Sequence, residues 1–477
     1  MSGASRRIRT DRSSIRHVRS RSLFLGLIGI ISLCVGCAKT PTQSQATTIK
    51  VAYWGGPEEI AIIQDLIADW QRQHPEVQVR LEHTPFSAYV SRLLTRMAGD
   101  VAPDIMAVEV NLFPGLWAKG AFLSLQPFIE RDATFHLKEF FPEVIQRFAV
   151  NGQVYAIPRG TAPFACVYYN KKLFDEAHLP YPTDDWNWDD LLRLAKQLTK
   201  VEGGRVTRYG FYAWAWQNFV YGNGGRLVDD LYNPTQCLLN QPKAVDGLQF
   251  YADLMNKHGV APTPVALGNL AMGAQQLFMT QRVAMFSSGY WEVPILRQIT
   301  DFDWDVVMFP KGPRGMRAFG TGGTGYCILK SSQHPELAWE VLKALTGDAG
   351  QARLAKTGLT QPANRLIAEG PAFALDPSPP ANKAMLNRAV QYVVYEPFIQ
   401  EWREIFELQM LPELDLIFHG HKSAKEAADA IAAKVNAALA QRQPSPTARP
   451  GSSESRAGVA QDVLPAGTPT ASSAKSR

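Results

Sequence analysis

The sequence predicts an α/β protein of two lobes with a cleft between them. Near its start, strand-like apolar segments at 49–54, 77–82 and 103–108 alternate with segments of helical periodicity. This alternation is typical of a parallel sheet whose strands are joined by crossover helices. The middle of the chain repeats the alternation with different residues, from about 153 to 309. Two such blocks in one chain therefore predict two lobes.

The first 36 residues have the composition of a secretory signal peptide. They contain seven arginines and one aspartate, and the apolar segment 23–33 follows the arginines. Because that segment is too short for a comfortable transmembrane helix, we expect it to be a signal-peptide core. The sequence C-V-G-C at 34–37 is similar to a bacterial lipoprotein cleavage site, although Cys34 stands where leucine is usual. It predicts removal of 1–36 and lipidation of Cys37; an uncleaved anchor would also leave the rest outside the cytoplasm.

The two ends of the mature chain are expected to be unstructured. Residues 37–47 are mostly polar and include proline, so we interpret them as a tether between the lipid and the folded part. From 442 to 477 proline, serine, alanine, glycine and threonine dominate, which predicts a disordered tail. The protein is therefore expected at the cell envelope, outside the cytoplasm and attached to the membrane through Cys37.

Composition excludes several classes of function. The formal net charge is +5, but residues 1–36 carry +6, so the remainder is close to neutral and offers no basic surface for nucleic acid. The three cysteines after residue 37 are Cys166, Cys237 and Cys327, which are too far apart for a disulfide framework or a metal-binding spacing. The phosphate-binding motif G-x-x-x-x-G-K-[ST] does not occur. We therefore expect no metal, no cofactor and no nucleic-acid partner.

The segment 282–294, R-V-A-M-F-S-S-G-Y-W-E-V-P, has the composition of one wall of a cleft. Its apolar start predicts a buried strand, and the serines and glycine at 287–289 favour a tight turn. Tyr290, Trp291 and Glu292 follow at once. Aromatic faces beside a carboxylate suit a ligand with C–H faces and hydroxyl edges. The two aromatics could equally be ordinary core residues, which is the commoner role of such side chains.

The first block places a second group of residues at one rim of its sheet. In open α/β sheets, ligands bind beyond the carboxyl ends of the strands. Trp54 ends the first predicted strand, and Glu109 and Asn111 follow the third. We therefore expect these three side chains at a common edge.

A series of short motifs extends this pattern over residues 49–439. The motifs are K-V-A-Y-W at 50–54, W-x-x-x-H-P at 70–75, A-P-D-I at 102–105, G-Q-V-Y-A-I-P at 152–158, Y-Y-N-K-K-L-F at 168–174, W-N-W-D-D-L at 186–191, G-Y-W at 289–291, G-G-T-G-Y at 322–326 and A-W-E-V-L at 338–342. In this order they resemble the extracellular solute-binding proteins of bacterial ABC importers, in particular the sugar-binding, maltose-binding-protein-like family.

The resemblance implies a two-lobed periplasmic-binding-protein fold with a hinged interlobe ligand cleft. Carried onto this chain, lobe one would comprise 48–112 and 302–346, and lobe two 113–301 and 347–441. The implied function is that of a lipid-anchored, monomeric binding subunit without enzymatic activity. Such a subunit captures a sugar or an oligosaccharide and delivers it to an ABC permease in the membrane.

The candidate ligand-binding residues are of two kinds. Aromatic side chains would stack on a sugar ring, and polar groups would bind its hydroxyls. The family's aromatic positions fall on Trp54 and Trp291. The stacking candidates are Trp54, Tyr169, Trp214, Trp216, Tyr290 and Trp291. The polar candidates are Glu58, Glu109, Asn111, Glu292, Arg365 and the backbone of Gly322 and Gly323.

Two other functions remain open at this point. The same fold could bind glycerol phosphate, a polyamine or a compatible solute, since a cation also suits aromatic rings and carboxylates. An exported carbohydrate-active enzyme could use two of the carboxyl groups of Glu58, Glu109 and Glu292 as an acid–base pair. Nothing in the spacing of these residues fixes such a pair.

Overall fold

In the computed structural model, residues 46–442 are described, and they form two five-stranded sheets with helices around them. The expectations for the signal peptide, for Cys37, for most of the tether and for the tail lie outside these residues. The strands are β1 (Thr47–Tyr53), β2 (Val77–His83), β3 (Ile105–Glu109), β4 (Ala149–Val150), β5 (Gln153–Val154), β6 (Ile157–Pro158), β7 (Cys166–Asn170), β8 (Lys200–Glu202), β9 (Arg205–Ala213), β10 (Val283–Ser288), β11 (Trp304–Met308), β12 (Phe319–Gly320), β13 (Thr324–Ile328) and β14 (Val393–Val394).

The helices lie between these strands and dominate the last third of the chain. They are α1 (Pro57–Gln73), α2 (Phe86–Ala98), α3 (Phe113–Ala118), α4 (Gln126–Arg131), α5 (Pro142–Ile145), α6 (Lys171–Glu176), α7 (Trp188–Leu198), α8 (Gln217–Gly222), α9 (Pro242–Asn256), α10 (Pro264–Leu270), α11 (Ala274–Met279), α12 (Val293–Leu296), α13 (Pro335–Thr346), α14 (Asp348–Thr357), α15 (Arg365–Glu369), α16 (Met385–Ala389), α17 (Trp402–Ile405), α18 (Leu411–Phe418) and α19 (Ala424–Ala440). Within the described part of the chain, none of them combines the length and the apolarity needed to cross a membrane.

The first sheet has the strand order β2-β1-β3-β13-β6. Strand β1 is parallel to β2 and to β3, as the alternation near the start of the sequence predicts. Helix α1 begins at a proline in its first turn and carries two acidic residues there, both favourable at a helix N-terminus. Strands β13 and β6 complete the sheet in antiparallel orientation. The sheet therefore combines three parallel strands that follow one another in the chain with two antiparallel strands, β6 and β13, from later in the chain.

The second sheet has the order β11-β7-β10-β9-β8. Strand β7 is antiparallel to both of its neighbours, with Tyr168 opposite Phe286 on one side and Val306 on the other. Strand β10 is parallel to β9. Every residue of β7, β10 and β11 is buried, so these strands form the centre of the second hydrophobic core.

The chain passes between the two sheets at 159–165, at 309–323 and after Ala368. The first two passages, here called the crossing segments, are joined by a backbone bridge between Pro163 and Thr321. A further bridge joins Thr161 to Gln361. These paired segments are where any movement of one sheet against the other has to be accommodated.

The predicted lobe boundaries need correction at two points. Strand β11 belongs to the second sheet, although 302–346 was assigned to lobe one. The segment from Phe113 to Pro158 packs against the first sheet, although it was assigned to lobe two. The reason is that the chain continues around the first sheet after β3 and leaves it only beyond β6.

Candidate functional site

Three aromatic rings meet beyond the carboxyl end of β10, and we call Phe164, Trp214 and Trp291 the aromatic group. The ring of Phe164 is 4.7 Å from that of Trp214 and 5.9 Å from that of Trp291, centroid to centroid. Trp214 is 38% exposed, and the other two rings are partly buried. A Cβ atom on Gly289 would lie 1.9 Å from the Trp291 ring, so this position needs a glycine. The group therefore keeps part of its aromatic surface accessible to a ligand.

A buried carboxyl group lies beside these rings. Glu292 is 9% exposed, and its Oε1 accepts hydrogen bonds from Ser288 Oγ at 2.8 Å and from Trp291 Nε1 at 3.1 Å. Trp214 Nε1 lies 3.5 Å from the same Ser288 hydroxyl. Burial raises the pKa of Glu292, and its two hydrogen bonds oppose that shift. The hydrogen bond from Trp291 Nε1 fixes the orientation of the indole ring. Both hydrogen bonds of this network end on Oε1 of Glu292, and neither reaches its Oε2.

The two crossing segments lie next to the aromatic group. The Gly322 N–H donates to the Ala162 carbonyl at 3.0 Å, and the Val110 N–H donates to the Gly323 carbonyl at 2.9 Å. Gly323 has a φ of +147°, which favours glycine. The N–H of Gly322 and the carbonyl of Gly323 thus have partners within the protein, and the predicted backbone contact of these two glycines with a ligand stays a prediction.

A recess opens between the crossing segments and the end of the first sheet. Its lining includes Val110, Arg147, Thr161, Ala162, Gly323 and Tyr395. We call it the Arg147 recess. The space inside it that a water-sized sphere can enter is about 10 Å³, room for about one water molecule.

The guanidinium group of Arg147 is held in one orientation inside this recess. The side chain is 3% exposed, and its Nη2 donates to the Glu396 carbonyl at 3.1 Å. Its Cζ lies 4.4 Å from the centre of the Tyr395 ring and 5.1 Å from that of Phe398. The Nε atom is buried and has no hydrogen-bond partner. A buried donor without a protein acceptor is costly unless a water molecule reaches it.

Two carboxyl groups lie near this guanidinium group. Glu109 Oε2 accepts from the Asn111 N–H at 2.9 Å. Burial raises the pKa of Glu109 to about 8, the negative charge of Glu396 adds to the shift, and the Asn111 N–H opposes it. Burial also raises the pKa of Glu396, whose Oε2 accepts from Trp402 Nε1 at 3.2 Å. Glu109 is therefore largely protonated at pH 7 and can donate as well as accept a hydrogen bond.

The predicted residues near the start of the first sheet form a separate group. The Trp54 ring stands edge-on to Phe86 at 5.5 Å and to Tyr89 at 4.8 Å. Glu58, in the first turn of α1, accepts from Gln298 Nε2 at 3.2 Å. Because Gln298 follows α12, this bond joins the first sheet's helices to those of the second. Glu58 therefore makes a contact between the two lobes.

A model of the family described as bacterial extracellular solute-binding proteins matches residues 54–352, which is more than half of the chain. The chain belongs to the bacterial extracellular solute-binding protein family. The family and the two-lobed α/β fold that the motifs predict are thereby confirmed. As predicted, this solute-binding protein is not an enzyme, since the family and its similar proteins are binding proteins.

Two relatives and one solved structure illustrate the similarity. An arabinooligosaccharide-binding protein of Halalkalibacterium halodurans is 25% identical over 295 residues. The matched residues make up 60% of this chain and 64% of that protein, which is just under two thirds of its length. A multiple sugar-binding protein of Streptococcus mutans is 26% identical over 351 residues, covering 68% and 77% of the two chains. An ABC substrate-binding protein from Listeria monocytogenes, solved in complex with cycloalternan, superposes with a TM-score of 0.75 at 23% identity. That superposition covers 83% of this chain and 100% of the other, and it shows the shared fold.

Four predicted site residues of this solute-binding protein lie elsewhere than expected. Tyr169, Trp216 and Tyr290 are 6%, 5% and 1% exposed and belong to the core of the second sheet. Tyr169 is on a strand covered on both faces, and Tyr290 packs edge-on against Phe373 at 5.2 Å. Arg365 is exposed at the start of α15. Burial gives the three aromatics a packing role in place of the predicted stacking role, and the position of Arg365 gives no support to its predicted one.

Sequence reasoning missed three groups that the structure brings to the site. Phe164 follows Pro163 in a crossing segment, and only its contacts with Trp214 and Trp291 identify it. Arg147 and Glu396 come together from positions 249 residues apart. An arginine near a short helix and a glutamate before a proline have no local pattern that distinguishes them from surface residues.

One group with metal-ligand chemistry exists in the structure although the spacing along the sequence did not indicate it. Within residues 46–442, ligand atoms of His136, Glu139 and Asp348 lie within 4.8 Å of one another. His136 Nδ1 is 3.0 Å from an Asp348 oxygen, and Asn364 Nδ2 donates to both carboxylates at 2.9 and 3.1 Å. These groups satisfy one another, so we assign them to holding α14 in place.

Proposed function

We propose that this solute-binding protein captures a neutral sugar or oligosaccharide and delivers it to the transmembrane subunits of an ABC importer. The observation that carries the proposal is the aromatic group beside the buried Glu292. A sugar ring has a face of C–H bonds that stacks on indole and an edge of hydroxyls that a carboxyl group can bind. Glu109 and Asn111 would add polar groups from the first sheet, so that the ligand touches both lobes and favours closure.

The relatives support a sugar ligand. The two described above are named for arabinooligosaccharides and for multiple sugars. Solved structures of the same fold include one bound to maltose and one bound to mannotriose. We infer from these proteins the class of the ligand, and not the identity of the sugar.

A polyamine is the second candidate, because tryptophan faces beside a carboxyl group also suit a cation. The surroundings of Glu292 favour the sugar. Its Oε1 already accepts two hydrogen bonds, and its raised pKa weakens it as a counter-ion for an ammonium group. Glycerol phosphate would bring an anion next to the carboxyl groups of Glu109 and Glu396.

A melting-temperature screen on the purified full-length protein tests the proposal. We expect arabinotriose, maltotriose or another neutral oligosaccharide to raise the melting temperature. Ligand at 100 times its Kd adds about 2.7 kcal/mol of stability by linkage, which corresponds to a rise of several degrees. Spermidine and glycerol 3-phosphate serve as the competing ligands. A rise with either of these and none with any neutral sugar would contradict the proposed ligand class.

We further propose that the protein is held to the membrane by a lipid on Cys37. Expressed in a bacterium, the full-length chain is expected to enter the detergent phase of a Triton X-114 partition. Cys37→Ser should move to the aqueous phase or accumulate with its signal peptide uncleaved. Cys34→Ser is the matched control and should remain lipidated. An unchanged mass and an unchanged partition for Cys37→Ser would point to the uncleaved anchor instead.

A further inference from the structure

We propose that Glu58 and Gln298 form a latch that favours the closed arrangement of the lobes, in which α1 touches α12, before any ligand arrives. Glu58 Oε1 accepts a hydrogen bond from Gln298 Nε2 at 3.2 Å, and the two residues are 240 positions apart in the chain. Glu58 then acts on the opposite lobe and not on the ligand. The latch itself is independent of the proposed function, whereas its effect on sugar affinity rests on that function.

The lobe-one side of the latch is held by the residue next to Glu58. Glu59 forms an ion pair with Arg159, at the start of the first crossing segment, and both side chains are largely buried. Gly55 precedes the helix, and a Cβ atom there would lie 2.6 Å from the Glu59 carboxyl carbon. A glycine therefore leaves the space that this ion pair needs. The first turn of α1 is thus fixed to the crossing segment, and Glu58 reaches the other lobe from a rigid base.

The lobe-two side of the latch is also fixed. Arg297, next to Gln298, donates from Nε to the Pro379 carbonyl at 2.8 Å and from Nη1 to the Lys356 carbonyl at 2.9 Å. The backbone N–H of Gln298 donates to the Ile295 carbonyl at 3.0 Å, so the helical turn continues past the end of α12. Exposed polar pairs lose much of their value to the entropy of holding two flexible side chains. Two rigid bases reduce that loss.

The latch lies on the same helical face as Trp291. Trp291, Ile295 and Gln298 are spaced at i, i+4 and i+7, and none of them is fully buried. This spacing places side chains on one face of a helix. Seven residues span about 10 Å of helix. The hydrogen bond at Gln298 therefore acts on the segment that carries one ring of the aromatic group.

The free energy of this contact acts on the balance between open and closed lobes. A contact that exists in only one of two arrangements shifts the balance by its whole free energy. The latch breaks whenever the lobes separate, because its two residues belong to different lobes. The apparent affinity for a ligand is proportional to the fraction of molecules that are competent to bind it. For a ligand that binds between closed lobes, the latch raises affinity although neither residue touches that ligand.

Spin-label distances in the ligand-free, full-length protein test the latch directly. Labels on Ala61→Cys and Thr300→Cys, two exposed positions, report the separation of α1 from the segment after α12. The three cysteines of the described part of the chain are buried and stay unlabelled. Gln298→Glu keeps the shape of the side chain and opposes two carboxylates, so the distances should become longer. Gln197→Glu, the same exchange at an exposed position of α7, should leave them unchanged.

An exchange of the two side chains separates the latch from any other role of these residues. In the double variant Glu58→Gln with Gln298→Glu, the amide and the carboxylate have changed places, and the hydrogen bond forms in the opposite direction. We expect this protein to recover the wild-type distances. Distances that stay long in the double variant would mean that the two residues act through other partners. That result would overturn the inference, as would wild-type distances in Gln298→Glu alone.

Calorimetric titration with the sugar identified in the melting-temperature screen measures the effect on affinity. Loss of one hydrogen bond that favours closure predicts a Kd about 5 to 10 times higher in Gln298→Glu. The double variant should return close to the wild-type Kd. An unchanged Kd in Gln298→Glu would overturn the effect on affinity. Wild-type protein that binds no sugar but shows the expected distances would remove the proposed function and leave the latch standing.

Discussion

Replacing Trp291 with alanine is expected to weaken the binding of a neutral oligosaccharide by roughly 30- to 1,000-fold while the protein stays folded. Aromatic residues at the centre of a binding site typically contribute about 2–4 kcal/mol by this measure. Trp291 is partly exposed, and its ring lies beside those of Phe164 and Trp214. Removal also takes one hydrogen bond from Glu292 and leaves that buried carboxyl group less favourably placed.

Calorimetric titration with the sugar identified in the melting-temperature screen measures this effect, and Trp70→Ala is the matched control. Trp70 is also a partly buried tryptophan, stacked on His74 near the end of α1. It lies 12 residues from Glu58 along that helix, about 18 Å. Trp70→Ala should lower stability and leave Kd unchanged. Equal affinities for the two variants would exclude the aromatic group from the ligand site.

The segment 282–294 illustrates how much of the site was accessible from the sequence. Its strand, its turn and the presence of two aromatics are local properties, and the structure has them. Which of the two rings, Tyr290 or Trp291, faces outwards could not be predicted from the local sequence. The single 3₁₀ turn Tyr290–Glu292 sends Tyr290 into the core and keeps Trp291 at the surface, and Gly289 leaves space for the indole ring. That choice depends on the packing of Phe373, which lies far along the chain.

The lobe boundaries illustrate a second limit. Strands β11 and β13 are both short and mostly buried, so their composition does not indicate which sheet each one joins. Membership is decided by pairing, with β11 beside β7 and β13 beside β3. The parallel strands β1, β2 and β3 were predictable because helices of the expected length join neighbours in the chain. The Arg147 recess, assembled from distant segments, had no local counterpart.

Replacing Asn218 with alanine is expected to lower the free energy of unfolding by about 2–4 kcal/mol. Asn218 is 0% exposed; its Nδ2 donates to the Phe164 carbonyl at 2.8 Å, and its Oδ1 accepts from the Gly320 N–H at 2.9 Å. One amide thus joins the two crossing segments. Alanine leaves a buried carbonyl and a buried N–H unpaired, each costing about 1–3 kcal/mol before the structure relaxes. Denaturant unfolding followed by circular dichroism measures the change.

Asn223→Ala is the control that separates this role from general loss of a buried amide. Asn223 is 4% exposed and donates one hydrogen bond, to the Lys243 carbonyl at 2.8 Å, within the second lobe. Its loss should cost about 1–2 kcal/mol and leave sugar affinity unchanged. Asn218→Ala should also weaken sugar binding, since the segment it releases carries Phe164, one of the three rings of the aromatic group. Equal costs for the two variants, with wild-type affinity in both, would mean that the crossing segments are held together by their own backbone bridges rather than by this amide.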